Sequence, residues 1–330
     1  DGKLKFSLKV TPENISYEVN YKKQPLVENS SLGFNFDSGE FGSNLKVGKV
    51  RRKSIDETYE LVVGKVSTAR NHCNEMVVPL QEKVSPGRLI NLVVRAFNDG
   101  IAFRYEFPEQ EGWNSYVMYD EKTQFRLSGN PMALLMYLPG YINTHEGVYT
   151  HTGYDKIAKK RLIEMPVTLE FENGVFMSIT EAAIRDYAGM YLVKEKDAFA
   201  GKLSPRLGQE KIKVEINEFP HRTPWRVISV SDRIGGLLET NILTSLNEPC
   251  KIEDTSWIKP CRTTFTWWNG NVVPDSTFSP GNNFETNKYY IDFAARNGLD
   301  AHGIYGYAET PWYYDDNFNF GWAGPNADIT

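Results

Sequence analysis

The sequence has no apolar run of about 18 residues, so it predicts no helix able to cross a bilayer. It has only three cysteines, Cys73, Cys250 and Cys261, and no CxxC or Cys/His spacing of the kind that holds zinc. A Cys250–Cys261 disulfide is the one pairing that their spacing leaves open. Charge of one sign is also missing: the net of −5 is a small balance of mixed signs, without the basic blocks that a phosphate backbone requires. Nucleic acid is therefore excluded as an expected partner. Residues 1–10 read as folded chain and not as a leader, which predicts a soluble, mature protein.

What is present in quantity is aromatic: Phe, Trp and Tyr make up 13% of the 330 residues. Such side chains mostly fill cores, and some serve as flat platforms for sugar rings or bases. From Leu4 to about Asn217 the chain is a succession of short alternating or β-branched segments separated by Gly, Pro, Asn and Asp. Among these are Tyr59 to Val66, Leu89 to Phe97, Ile101 to Phe107, Pro166 to Phe171, Val175 to Thr180 and Lys211 to Ile216. That spacing predicts a mainly β protein, a sandwich or barrel. Asn98-Asp99-Gly100 reads as a hairpin turn. Near Asp232 the pattern changes to one apolar stripe through Ile234, Leu237, Leu238, Ile242 and Leu246, which predicts a connector helix ended by Asn247 and Pro249. Domains are thus expected at 1–249 and 250–330. In the second, a strand at Arg262 to Trp268, a capping box at Asn282-Asn283-Phe284-Glu285, a helix to Arg296 closed by Gly298, and a strand from Leu299 to Tyr305 make a βαβ unit. Such units belong to parallel sheets and (β/α)8 barrels. A full barrel takes about 250 residues, so the expectation is a barrel begun but not finished by Thr330.

Several stretches, in this order and spacing, resemble glycoside hydrolase family 97 over nearly the whole chain. They are Ala69-Arg70-Asn71-His72-Cys73-Asn74-Glu75, the run from Arg95 to Tyr105, Ile179-Thr180-Glu181-Ala182, Asp254 to Pro260, Trp267-Trp268-Asn269-Gly270 and Tyr289 to Ala295. The resemblance implies an N-terminal β-super-sandwich, a central (β/α)8 catalytic barrel and a C-terminal β domain. It also implies an exo-acting α-glycosidase on α-glucosides or α-galactosides, an oligosaccharide or glycoside as substrate, a calcium ion in the active site and a periplasmic or secreted location.

Glu181 follows the apolar segment Val175 to Thr180, which puts a carboxylate at the mouth of a sheet. A solvated strand-end glutamate is the ordinary reading of such a position. The resemblance instead implies a calcium ligand reaching into the barrel site, with partners beyond Thr330, because calcium takes six to eight oxygens. Trp268 is expected as a sugar platform and Asn269 as a hydroxyl partner, since neighbours on a strand face opposite ways and only one of Trp267 and Trp268 can face the barrel. Glu309 and Trp312 are expected in the next loop as further sugar contacts, in a stretch that departs from the family's more acidic turn. Asp315 and Asp316 are too divergent as neighbours to hold calcium alone. His145, Glu146 and His151 lie in a sandwich loop, where histidine is more often solvated than functional. Arg70, Asn71 and His72 are expected to brace the sandwich. The catalytic carboxyl pair, which glycoside hydrolysis needs on either side of the bond, is expected beyond Thr330. Two other readings are a non-catalytic sugar-binding sandwich and an aldose-epimerase-like enzyme. The second needs a histidine paired with a glutamate, for which the adjacent His145 and Glu146 are badly placed.

Overall fold

The computed structural model describes residues 2–304. The chain divides into two compact units between Lys251 and Ile252, with residues 62–65 joining the second. The sequence put this boundary two residues earlier, at the end of its connector.

The first unit is built from an eight-stranded, an eleven-stranded and a four-stranded sheet, and every pairing in its ladders is antiparallel. The two large sheets face each other across one core. Tyr17, Val19, Phe125, Leu192 and Phe199 come from the first, and Leu92, Val94, Ile101, Phe103, Met177, Ile179 and Ile228 from the second. Aromatic rings occupy the middle, with Phe6 stacked on Tyr17 at 5.3 Å and Tyr17 tilted on Phe103 at 5.1 Å.

Period-two alternation explains why the eleven-stranded sheet is buried on both faces. While Leu92, Ile101, Phe103 and Ile228 face the main core, their neighbours Val93, Ala102 and Val227 face outward into a second cluster with Cys73, Ala182 and Trp225. Ile242 and Leu246 cover that outer face, a burial that contributes roughly 3–6 kcal/mol. Trp225 is fully buried there, between the guanidinium groups of Arg95 and Arg104, 4.9 and 4.4 Å from its ring.

Two expected elements differ. The connector is two four-residue helices, Gly236–Glu239 and Ile242–Ser245, instead of one stripe, because Thr240 is extended at ψ 140° and Gly235-Gly236 make a poor helix start. Ile234 and Leu238 are consequently exposed while Ile242 and Leu246 are buried. The strand expected at Tyr59 to Val66 lies instead at Arg51–Glu60, paired along Thr68–Glu82, and the apolar Val62 and Val63 belong to the following turn. Arg51–Glu60 is an edge strand rich in charge, so it carries no apolar alternation to read. Arg70 and Asn71 do brace this edge, through Asp56 at 2.7 Å and Glu57 at 2.7 Å.

In the second unit Thr263–Phe265 pairs in parallel with Ala301–Gly303, and the helix Phe284–Arg296 lies between them in sequence, which is the βαβ arrangement. The cap is Asn283, whose side chain accepts from the Thr286 backbone N–H at 3.0 Å, and Gly298 follows the helix at φ 64°. All three cysteines are free thiols. No helix among the described residues is long and apolar enough to cross a membrane.

The Asn98–Gly100 hairpin joins Leu89–Ala96 to Gly100–Phe107 as expected, and Phe97 N–H donates to the Gly100 carbonyl at 2.9 Å. A Cβ on Gly100 would lie 2.6 Å from both the Ile228 carbonyl oxygen and Ile242 Cδ1. Gly100→Ala should therefore lower stability by about 1–3 kcal/mol in urea unfolding, since the backbone on one side cannot yield.

Candidate active-site pocket

Glu181 sits in the strand Phe176–Ala182, directly opposite Arg226 in the antiparallel strand Trp225–Ser231. Both side chains point to the core face, in phase with Ile179 and Ile228. Arg226 is fully buried, and its guanidinium is shared by two carboxylates. It holds Glu121 with a fork, Nε to Oε1 at 2.9 Å and Nη2 to Oε2 at 2.6 Å, while Nη1 donates to Glu181 Oε2 at 2.5 Å. Glu121 ends the strand Tyr116–Glu121 of the four-stranded sheet.

The two carboxylates have opposite surroundings. Glu121 is 1% exposed and accepts two further bonds, from Thr123 Oγ1 at 2.6 Å and the Tyr187 hydroxyl at 2.9 Å. Burial works against its charge, but Arg226 and these hydroxyls outweigh it and hold its pKa below the ordinary value. Glu181 has only Arg226 and the Met190 backbone N–H, at 3.0 Å. Burial therefore wins, and its pKa is raised despite the arginine. Glu121 is sealed in, whereas Glu181 lines a cavity of about 250 Å³ together with Glu164, Met165, Thr180, Ile184, Gly189, Met190 and Tyr191.

Aromatic rings form one side of this cavity. Tyr141 meets Tyr191 edge-on at 5.3 Å, and the His145 ring stacks on Tyr191 at 6.2 Å. His145 Nδ1 is 2.7 Å from Glu164 Oε1, so the loop histidine is tied to a carboxylate instead of being merely solvated. The Tyr191 hydroxyl has a raised pKa, from burial first and then from the charges of Glu164 and Glu181.

Among the described residues no group of three or more His, Cys, Asp or Glu side chains could hold a metal ion. Glu181 fits the part of a single oxygen ligand, because it is unsealed and its buried charge lacks full compensation. Calcium would need several more oxygens than this unit supplies there.

In the second unit Trp267 and Trp268 lie in the 3-10 turn Thr266–Asn269 after the short strand, and not on the strand itself. Strand alternation therefore does not decide which of them faces inward; Trp268 is 74% exposed and Trp267 40%. Asn269 donates its amide to the Tyr290 hydroxyl at 2.8 Å, which leaves its carbonyl oxygen for a hydroxyl donor. Glu309, Trp312, Asp315 and Asp316 lie outside the described residues.

Arg226, Glu121, Tyr187 and Glu164 were not singled out by sequence reasoning. Arg226 had a signal: a lone arginine in the apolar run Trp225 to Val230 must find a buried partner. Glu164, beside Met165-Pro166, had none.

A large antiparallel sandwich leading into a parallel βαβ unit, with a carboxylate pocket walled by tyrosine, defines a protein of the carbohydrate-active type. Residues 1–249 match the glycosyl-hydrolase 97 N-terminal family and residues 267–330 match glycoside hydrolase 97. The chain belongs to glycoside hydrolase family 97. It is 27% identical to a retaining alpha-galactosidase of Bacteroides thetaiotaomicron over 91% of the chain, and 24% identical to a probable retaining alpha-galactosidase of Streptomyces bingchenggensis over 94%. It spans about half of each, 48% and 45%. A family 97 enzyme from Pseudoalteromonas sp. strain K8, solved with acarbose, superimposes with a TM-score of 0.83 at 30% identity, over 92% of this chain and 46% of that one. A beta-arabinopyranosidase at 23% identity shares the fold, with a TM-score of 0.80 over 94% of this chain and 50% of that one.

Breaking the buried pair should be costly: Glu121→Gln is expected to destabilise the folded chain by about 3–5 kcal/mol at pH 7, measured by denaturant unfolding. Because the folded pKa of Glu121 lies below its ordinary 4.5, its stabilisation is present above that value and is lost as pH falls through the folded one. The deficit of the variant should therefore shrink on acidification. Glu181 has the opposite sign, its contribution being present below 4.5 and lost as pH rises through its raised value.

Proposed function

We propose that the full-length protein is an exo-acting α-glycoside hydrolase, an α-galactosidase or α-glucosidase that depends on calcium and works in the periplasm or outside the cell. The observation that carries the reading is Glu181, a carboxylate held rigidly by Arg226 yet facing an aromatic-walled cavity. Two relatives described as retaining alpha-galactosidases support the reaction class, and family 97 structures solved with acarbose and with panose support an α-linked sugar as ligand.

In this reading the chain contributes binding and orientation. The Arg226 bond and the Met190 N–H fix both oxygens of Glu181, so the carboxylate keeps one rotamer and presents its remaining lone pairs to the pocket. Bound calcium would supply positive charge to hold and polarise a sugar oxygen. Trp268 and Asn269, with Glu309 and Trp312, would offer stacking and hydrogen bonds to the sugar. Retention requires two carboxyl groups roughly 5 to 5.5 Å apart across the scissile bond. Glu121 is sealed and salt-bridged, and so serves neither as acid nor as nucleophile.

Hydrolysis of p-nitrophenyl α-galactoside and α-glucoside by the full-length protein tests the proposal. Activity on one of them should fall at least about tenfold on chelation and in Glu181→Gln, as loss of an electrostatic contact in a dry site does. No hydrolysis of either substrate, with sugar binding intact in chelator, would sink this reading and favour a binding module.

A further inference from the structure

Glu164 has a carboxylate oxygen with nothing to hold it. Its Oε1 is bonded to His145 at 2.7 Å, but its Oε2 is buried and has no hydrogen-bond partner among the described residues. A desolvated acceptor left unpaired is costly, and more so when charged, so such an oxygen implies a donor that arrives from outside the chain. The two donors nearest in the bonding pattern are spent: His145 Nδ1 on the other oxygen of Glu164, and the Met190 N–H on Glu181.

The surroundings indicate which kind of molecule brings the donor. Glu164 shares its cavity with Glu181 and Tyr191, and the Tyr191 ring is packed between Tyr141 and His145. A flat aromatic wall beside hydrogen-bond acceptors suits a molecule with an apolar ring face and hydroxyl donors on its rim. The volume of about 250 Å³ is below the ~300 Å³ at which pockets for drug-sized ligands begin, the scale of one sugar ring and not of a chain.

We propose that Glu164, oriented by His145, is a substrate-positioning residue that accepts a hydrogen bond from a hydroxyl of a single pyranose ring seated against Tyr191. His145 is a positioning residue one step removed, since it fixes the carboxylate and leaves Oε2 free. This rests on the sugar-site reading above but not on hydrolysis or on calcium.

Isothermal titration of the full-length protein with methyl α-D-galactopyranoside and methyl α-D-glucopyranoside tests it directly. Glu164→Ala should weaken binding of whichever glycoside the wild type prefers by about tenfold, as expected for losing a charge-assisted hydrogen bond. Glu164→Gln, whose amide oxygen still accepts, should weaken it less. In hydrolysis the loss should appear in KM more than in kcat. Removing one ring hydroxyl at a time should identify a deoxy analogue for which wild type and Glu164→Ala bind alike. Unchanged affinity in Glu164→Ala overturns the proposal; if that variant does not fold, unchanged affinity in a Glu164→Gln protein of wild-type Tm does so. A wild type that binds neither glycoside also overturns it. A wild type that binds but does not hydrolyse removes only the catalytic reading.

Discussion

One buried guanidinium organises the functional end of the sandwich. Arg226 lies between Glu121 and Glu181 with no exposure to solvent, so it ties the four-stranded sheet to the eleven-stranded one by charge where apolar packing alone would tie them by area. Taking three charges out of water is expensive, and hydrophobic side chains of the same volume would often serve stability as well or better. The cluster therefore makes most sense as a device for position. It fixes a carboxylate at the rim of a cavity to within a hydrogen bond's tolerance, which is what a binding site needs from its scaffold.

The division of labour within that cluster follows from hydration. Glu121, supplied with four hydrogen bonds, is a settled anion and a structural counter-ion. Glu181, supplied with two, remains electrostatically incomplete, and its raised pKa is the mark of that deficit. Glu164 is incomplete in the same way, with one oxygen tied and one free. Two incompletely satisfied carboxylates lining one aromatic-walled cavity are a standing demand for donors or positive charge, and a sugar with its hydroxyls, or a cation, meets it.

Much of the scaffold was legible in order of residues. Alternation placed the strands at Leu89–Ala96, Gly100–Phe107 and Phe176–Ala182, Asp99-Gly100 located their turn, and the capped helix before Gly298 located the βαβ unit. The failures have local causes. The edge strand Arg51–Glu60 is charged on both faces and shows no period. The apolar stripe near Ile234 was broken by Gly235, Gly236 and the extended Thr240, which composition in a window does not register. Trp267 and Trp268 were placed on a strand because they are aromatic and follow β-branched residues, whereas the chain turns at Thr266.

The sequence by itself determined the class, the family and the importance of Glu181, because alternation, turn chemistry and motif order are properties of neighbours along the chain. Only the tertiary structure decided what Glu181 is attached to. Its partners come from residues 121, 190 and 226, brought together by three strands and a loop, and whether a carboxylate is solvated, sealed or left wanting depends on that convergence. The same holds for Glu164, whose free oxygen has no counterpart in the order of residues, since desolvation is a property of the space around an atom and not of its neighbours in the chain.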